Sequence, residues 1–523
     1  MSVREQTSSP AAAVVELERD HSTQTTPLLD LLLDGKAAPA GAAGAESDLV
    51  SQIRASRNRA ELARLLFGRQ ATSGKSAARQ LDVAIARLDD LLSRQVNAIL
   101  HHPRWQGLEA SWRGLAFLCQ QAGEHTDRAE SEGEDARVVV RMLSVTKREL
   151  WDDATSATQF DQSVLWQKVY EAEFGTAGGT PFGLLVGDYE FRNHPNDLDT
   201  LASIASVAAA SFAPFVAAAA PEFFGLNDYQ RLELGLPLEQ DFQRPDYIKW
   251  RSLRASEDSR FVGLTLPRVL MRRPYGLDAS REDGFRFQED VSDPQRHNRY
   301  LWGNAAYAFA SVVLRAYVDT GWFAEIRGFE RGQESGGLVS GLAVDSFSTD
   351  RPGIALKTGT DVVIGSLQER ELSELGFLPL CACQGTEFSA FFSNASIHKP
   401  PVYAEADANT TACMSAMLQY VLCASRFAHY LKTLCREKIG SFQSVEEVNN
   451  FLINWINQYV ADDALASPAV KARFPLRKAE IEVAEIPGQA GAYRLEMRLL
   501  PHYQLDSLSA SLRLVHRLPS PQS

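Results

Sequence analysis

The chain has 523 residues, of which 45% are hydrophobic and 23% charged, the balance of a globular protein with room for about three domains at ~150 residues each. Its formal net charge is −13, and its densest basic stretches, Arg272 with Arg273 and residues 471–477, are short. That excludes the Lys/Arg clusters with which proteins engage nucleic-acid phosphates or an anionic membrane surface.

Six cysteines are scattered, with no C-x-x-C pair, so reduced thiols of a cytosolic chain are expected and not a disulfide framework. Residues 1–20 show no basic segment followed by an apolar run, so no secretory leader is expected. Residues 1–25 are Thr, Ser, Gln and Ala with few large apolar groups and read as disordered. A short helix follows. Thr26 suits an N-cap, Pro27 the first helical position and Gly35 the C′ position. Its apolar residues, Leu28, Leu29, Leu31, Leu32 and Leu33, need a surface, because a helix this short is marginal alone. An Ala/Gly/Pro tether at 36–45 gives it reach. The same face would serve a docking peptide or a contact with its own chain.

Residues 48–67 and 77–100 read as helices. In the second, Leu81, Ile85, Leu88, Leu92 and Ile99 recur at helical spacing and make an apolar stripe. Pro103 is read as ending the turn that follows. Trp105, Leu108, Trp112, Leu115 and Cys119 then share one face of a further helix, and an acidic loop at 124–135 closes the helical block.

From Arg137 the pattern changes. Residues 137–144 (RVVVRMLS) are strand-like, and Thr146 caps a short helix through Asp153. Residues 181–188 read as a buried strand. Residues 201–220 carry no charge, but they are mostly Ala and Ser with Pro214 inside. A buried helix, a break and a core strand fit better than a membrane span. Residues 213–219, 261–267 and 322–328 are further strand candidates, 302–318 a helix, and 361–376 a strand then a helix. Strands alternating with helices predict an α/β sheet.

Residues 409–435 and 445–460 read as helices, followed by a hairpin. Ile481 and Val483 alternate with Glu480 and Glu482; after a loop, Tyr493, Leu495, Met497 and Leu499 alternate with Arg494, Glu496 and Arg498. Leu508, Ala510, Leu512 and Leu514 predict a last strand, whose open edge could take another chain.

Chemistry finds little support in these residues. His101 and His102 are adjacent and have no Cys or acidic partner at ligand spacing, so loop or core histidines are favoured over a metal site. Cys381 and Cys383 are half a zinc site at most and read as small buried residues. The Gly-rich run 175–183 precedes a strand and lacks the G-K-[ST] end of a phosphate loop. Arg426 and His429 read as a satisfied polar pair in a core. Asp188 and Glu190 alternate on a strand. A strand-end salt bridge or cap is favoured for them, and a hydrolase or transferase acid/base pair is the alternative. No catalytic, cofactor-binding or metal-ligating residue is therefore assigned.

Residues 99–115 read ILHHPRWQGLEASWRGL, 182–191 FGLLVGDYEF, 249–251 KWR, 258–264 DSRFVGL, 274–276 PYG, 300–305 YLWGNA, 425–431 SRFAHYL and 500–505 LPHYQL. In this order they resemble the large subunit of type VI secretion contractile sheaths, the TssC/VipB/EvpB family, over residues 26–518. The resemblance implies mixed α/β, phage-tail-sheath-like domains preceded by a helical N-terminal region. It implies a structural protein and no enzyme. The partners it implies are a smaller TssB/VipA-like subunit, further copies in a helical tube around an Hcp inner tube, a baseplate, and ClpV, an AAA+ unfoldase. Residues 1–25 match nothing in the family, and the loop at 330–335 is longer than its compact glycine loop.

On that basis 1–47 would be an arm with a docking helix, 48–135 a helical region for the small subunit, 136–378 an α/β sheath domain and 379–523 a C-terminal domain. Leu28–Leu33 would take the unfoldase. Leu81, Ile85, Leu88, Leu92 and Ile99 would take the small subunit, and Leu508, Leu512 and Leu514 would exchange strands between neighbours. Residues 462–473 are placed against the inner tube by position. A non-polymerising adaptor of the same apparatus is the other reading.

Overall fold

The computed structural model describes residues 74–131, 138–276, 285, 287–291, 294–328, 335–344, 359–383, 386, 388–438, 445–463, 466–485, 493–502 and 512–517. The docking helix at 27–34, the helix expected at 48–67, the 330–334 part of the loop and Leu508 lie outside them. The chain divides into two compact units, residues 1–94 and 95–523. Residues 74–94 of the first are the start of helix α1 (Gly74–Leu100).

Helix α2 spans Pro103–Ser131. Pro103 opens this helix and does not close a turn, since its missing N–H falls where the first helical turn has no acceptor. The acidic run expected as a loop is helical as far as Ser131, because Gln121, His125 and Ala129 continue a buried stripe. Residues 138–144 belong to no ladder, contrary to the strand expected over 137–144. Helix α3 (Lys147–Ser156) is capped as read: Glu149 N–H donates to Thr146 Oγ1 at 3.2 Å, and Thr146 N–H donates to Glu149 Oε2 at 2.7 Å.

An α/β sandwich follows. Strand β1 (Leu185–Phe191) leads to helix α4 (Pro195–Ser211), which stops where Phe212 turns left-handed at φ 53°. Strand β2 (Phe215–Ala219) completes the uncharged run as helix, break and core strand. Helix α5 (Ile248–Arg254), strand β3 (Val262–Leu266), helix α6 (Ala306–Thr320), strand β4 (Leu338–Val339), helix α7 (Ser366–Glu374), and strands β5 (Leu378–Ala382) and β6 (Ser389–Phe391) complete it. The sheet order is β1-β2-β3-β5-β6-β4. The first four strands are parallel and the last two are antiparallel to their neighbours.

Alternation divides the core. Phe215, Ala217 and Ala219 of β2 face α4, α5 and an aromatic cluster of Phe223, Phe242 and Phe377. Val216, with Leu378 and Leu380, faces Phe309, Val312 and Val313 of α6. The outer side of α6 is covered in turn by α2, through Leu118, Tyr307, Ala310 and Leu314. The closest approach is at Gly114, where an added Cβ would stand 2.4 Å from the Tyr307 ring. Gly114→Val is therefore expected to destabilise the protein by about 1–3 kcal/mol. An unchanged midpoint in urea denaturation would show that the α2–α6 seam has slack.

Residues 322–328 are irregular, because Trp322 stacks on Phe427 at 4.3 Å and Phe323 and Ile326 pack beneath α6. Residues 361–365 precede α7 without a strand, and the nearest pairing is one bridge between Val269 and Thr360. The helix expected over 409–435 is two, α8 (Ala406–Ser415) and α9 (Leu418–Lys438). Between them Ala416 O accepts from Ser396 N–H at 2.9 Å and Leu418 N–H donates to Asn394 O at 2.8 Å, so both groups leave the helical ladder.

Helix α10 (Val445–Asn457) packs with α9 on a three-stranded antiparallel sheet of β7 (Leu476–Glu485), β8 (Tyr493–Pro501) and β9 (Leu512–Arg517), ordered β9-β8-β7. Ile481, Leu495, Met497 and Leu499 are buried, as their alternation predicts. On the wet face Arg498 stands opposite Glu480, but Glu496 stands opposite Glu482 and is met by Arg494 and Arg498. The final strand starts at Leu512, and Leu512 and Leu514 are in register with Leu499 and Met497 of β8.

Candidate interaction surfaces

Helix α2 shows two opposed faces. Its inner stripe, Ala110, Gly114 and Leu118, is small and buried. Trp105, Leu108 and Trp112 lie on the outer side, with the Trp112 side chain 57% exposed. Leu115 is half-buried and Cys119 exposed. A row of two tryptophans and a leucine facing water is unusual for a solitary surface and usual at a protein–protein contact. In the first unit, Ile85 and Leu88 of α1 are exposed and Leu92 is half-buried; Leu81 is helical, its side chain lying outside the described set. Ile99, in the second unit, is exposed.

The base of α2 is fixed by buried charge. Arg272 donates through Nε to Glu109 Oε1 at 2.8 Å and through Nη1 to Glu289 Oε2 at 2.5 Å. Glu289, whose side chain is 1% exposed, also accepts from Tyr275 N–H at 3.0 Å and lies 3.3 Å from His101 Nε2. Burial alone would raise this carboxyl, but the His101, Arg272 and Tyr275 hydrogen bonds outweigh it and hold it at about 2. Glu109 is lowered in the same way: Arg272 and Arg113 overcome its burial. His101 is thus part of a structural network, and His102 Nδ1 accepts from Arg104 N–H at 3.3 Å.

The other singled-out groups are spread through the core. Cys381 and Cys383 are buried, and burial pushes the Cys381 thiol up to about 12. His429 lies beneath α4, its Nε2 2.9 Å from Ser211 O, and burial pushes it down to about 4. Arg426 bonds instead to the hydroxyls of Tyr317 and Tyr430, so the two residues do not pair with each other. Asp188 and Glu190 are exposed on β1. A cavity of about 30 Å³ lies under α2, lined by Phe117, Met271, Tyr307 and Leu342. It has room for about one water, and neither carboxylate lines it. Among the described residues, no three His, Cys, Asp or Glu side chains stand together as metal ligands. No described helix is long and apolar enough to cross a membrane.

A mixed sheet packed on both faces, with an outer helix turning aromatic residues to water and a separate sheet at the C-terminal end, describes a mixed α/β chain whose outer helix suits a protein–protein contact. The EvpB/VC_A0108 tail sheath N-terminal domain matches residues 82–398, and the EvpB/VC_A0108 tail sheath gpW/gp25-like domain matches residues 406–518. The chain is also 41% identical, over 85% of its length and 87% of the relative's, to the type VI secretion system sheath protein TssC1 of Pseudomonas aeruginosa strain PAO1. It belongs to the VipB/EvpB family of type VI secretion sheath proteins.

Proposed function

We propose that this chain is the large subunit of a type VI secretion sheath that pairs with a smaller subunit, polymerises helically around an Hcp inner tube on a baseplate, and contracts to drive that tube outward. The observation that supports this most is the span of the two sheath domains along the chain, 82–398 and 406–518. The protein acts in the bacterial cytosol as a mechanical part and not as an enzyme. The small subunit binds the stripe of Leu81, Ile85, Leu88, Leu92 and Ile99. The strand with Leu508, Leu512 and Leu514 links neighbours, since main-chain hydrogen bonds can hold subunits while their angle changes. Residues 462–473 meet the inner tube. Contraction is the relaxation of a metastable packing set at assembly. ClpV then grips Leu28, Leu29, Leu31, Leu32 and Leu33 and dismantles spent sheath.

Co-expression with the small subunit is expected to give long tubules in electron micrographs; single particles under all conditions would overturn the reading. Deleting residues 2–35 is expected to leave the tubules intact and abolish their clearance by the unfoldase. Loss of tubules would instead assign that segment to assembly.

A further inference from the structure

Residues Gln167–Gly175 form a π-helix, a rare form that is frequent at functional sites. It carries a row of rings at intervals of four. Trp166 stacks on Tyr170 at 4.0 Å, and Tyr170 meets Phe174 edge-on at 5.3 Å. Lys432 of α9 lies against this row. Its Nζ stands 3.5 Å from the centre of the Phe174 ring and 4.6 Å from that of Tyr170, and it donates to the Tyr170 hydroxyl at 3.3 Å. Arg436, one turn further along α9, donates to the carbonyls of Phe174, Gly175 and Thr176 and so closes the end of the π-helix.

Lys432 differs from the chain's other anchored lysines. Lys147, Lys249 and Lys478 each face a carboxylate, that of Asp197, Asp199 and Glu480. Around Lys432 the groups that titrate or carry charge are Tyr170, His429 and Arg436, and no acid is among them. Burial holds the Tyr170 hydroxyl up and His429 down to about 4, so both are neutral near neutral pH. Burial, with the Arg436 charge behind it, pulls Lys432 down to about 8. The two rings fix the amine in place, and about a tenth of it is unprotonated at pH 7. The neighbouring guanidinium favours a donor with negative charge, and the ring walls favour a small one.

We infer that Lys432 is a modification site, acylated at Nζ by a small acyl phosphate, and that acylation releases the π-helix from α9. The Nζ lone pair attacks the acyl carbon, and an N–C bond forms. The C–O bond to phosphate breaks, and phosphate leaves with the bonding pair and takes up the proton that Nζ sheds. The amide that results has no charge, so the attraction to both rings is lost.

Acetyl phosphate added to the full chain, followed by peptide mass spectrometry, tests the site. Near neutral pH, Lys432 is expected to acetylate at least about 10-fold faster than Lys147, Lys249 and Lys478, with a rate that levels off above about pH 8. A rate no faster than theirs overturns the inference. So does reaction with an acyl thioester but not with acetyl phosphate. Hydrogen exchange tests the release. Lys432→Gln, uncharged like the amide, is expected to speed exchange of the 167–175 amides at least about 10-fold, and Lys432→Arg to keep them within about 2-fold. The acetylated wild-type chain is read in the same way, so the result does not depend on whether the variant folds. Unchanged exchange after acetylation overturns the release.

Discussion

Arg272→Ala is expected to destabilise the protein by about 3–5 kcal/mol, the usual cost of removing one partner from a buried ion pair. The loss is large because Glu289 is left charged in a site with almost no access to water, and because the same guanidinium also holds Glu109 on α2. Exchange of the α2 amides should accelerate in step, since α2 loses its tie to the segment carrying Glu289. The effect has a pH signature. Glu289 titrates at about 2 in the fold and at about 4.3 in an unfolded chain. Its folded value is depressed, so the stabilisation is present in full above about 4.3 and is lost as pH falls toward about 2. The gap between wild type and Arg272→Ala should narrow across that window. A gap that stays constant from neutral pH to pH 2 would show that Arg272 acts through packing alone. Arg272→Met with Glu289→Gln should recover much of the loss, because the pair is removed together.

The second large effect is expected at Trp250. Its side chain is fully buried on α5, stacked on Phe377 at 5.7 Å and edge-on to Phe223 at 4.8 Å. Trp250→Ala should cost about 3–5 kcal/mol and lower the urea midpoint measured by far-ultraviolet circular dichroism. Its Nε1 has no hydrogen-bond partner among the described residues. Trp250→Phe therefore gives up no hydrogen bond, refills most of the space, and should restore most of the loss. Equal damage from both substitutions would show that the indole shape, and not the filled volume, holds the cluster.

Local periodicity made the regular parts legible. The Thr146 cap, the helix–break–strand over 201–220, and the alternation of Ile481, Leu495, Met497 and Leu499 all follow from neighbours in the chain, and the structure has them. Long-range pairing was not legible. Arg272 had only Arg273 beside it as a cue, while its partners Glu109 and Glu289 lie far away in sequence. The break at Ala416 comes from hydrogen bonds to residues 394–396, which no helical pattern in 409–435 announces. Residues 138–144 likewise have the composition of a strand, but a ladder needs a partner that composition does not name, and the structure gives them none among the described residues. The interaction surfaces were half visible, since the spacing of Trp105, Leu108 and Trp112 revealed a face but not that it looks outward. The face turned inward is made of Ala110 and Gly114, small residues that a hydrophobicity reading passes over.

Helix α6 lies between α2 and the parallel sheet, and twelve of its fifteen residues are buried. A rod enclosed in this way has no compliant side, and close-packed interiors compress little. A pull on α2 is therefore delivered to the sheet nearly undiminished, with the intervening layer acting as a stiff spacer. Deformation is therefore smallest at this central layer and is left to the boundaries of the fold.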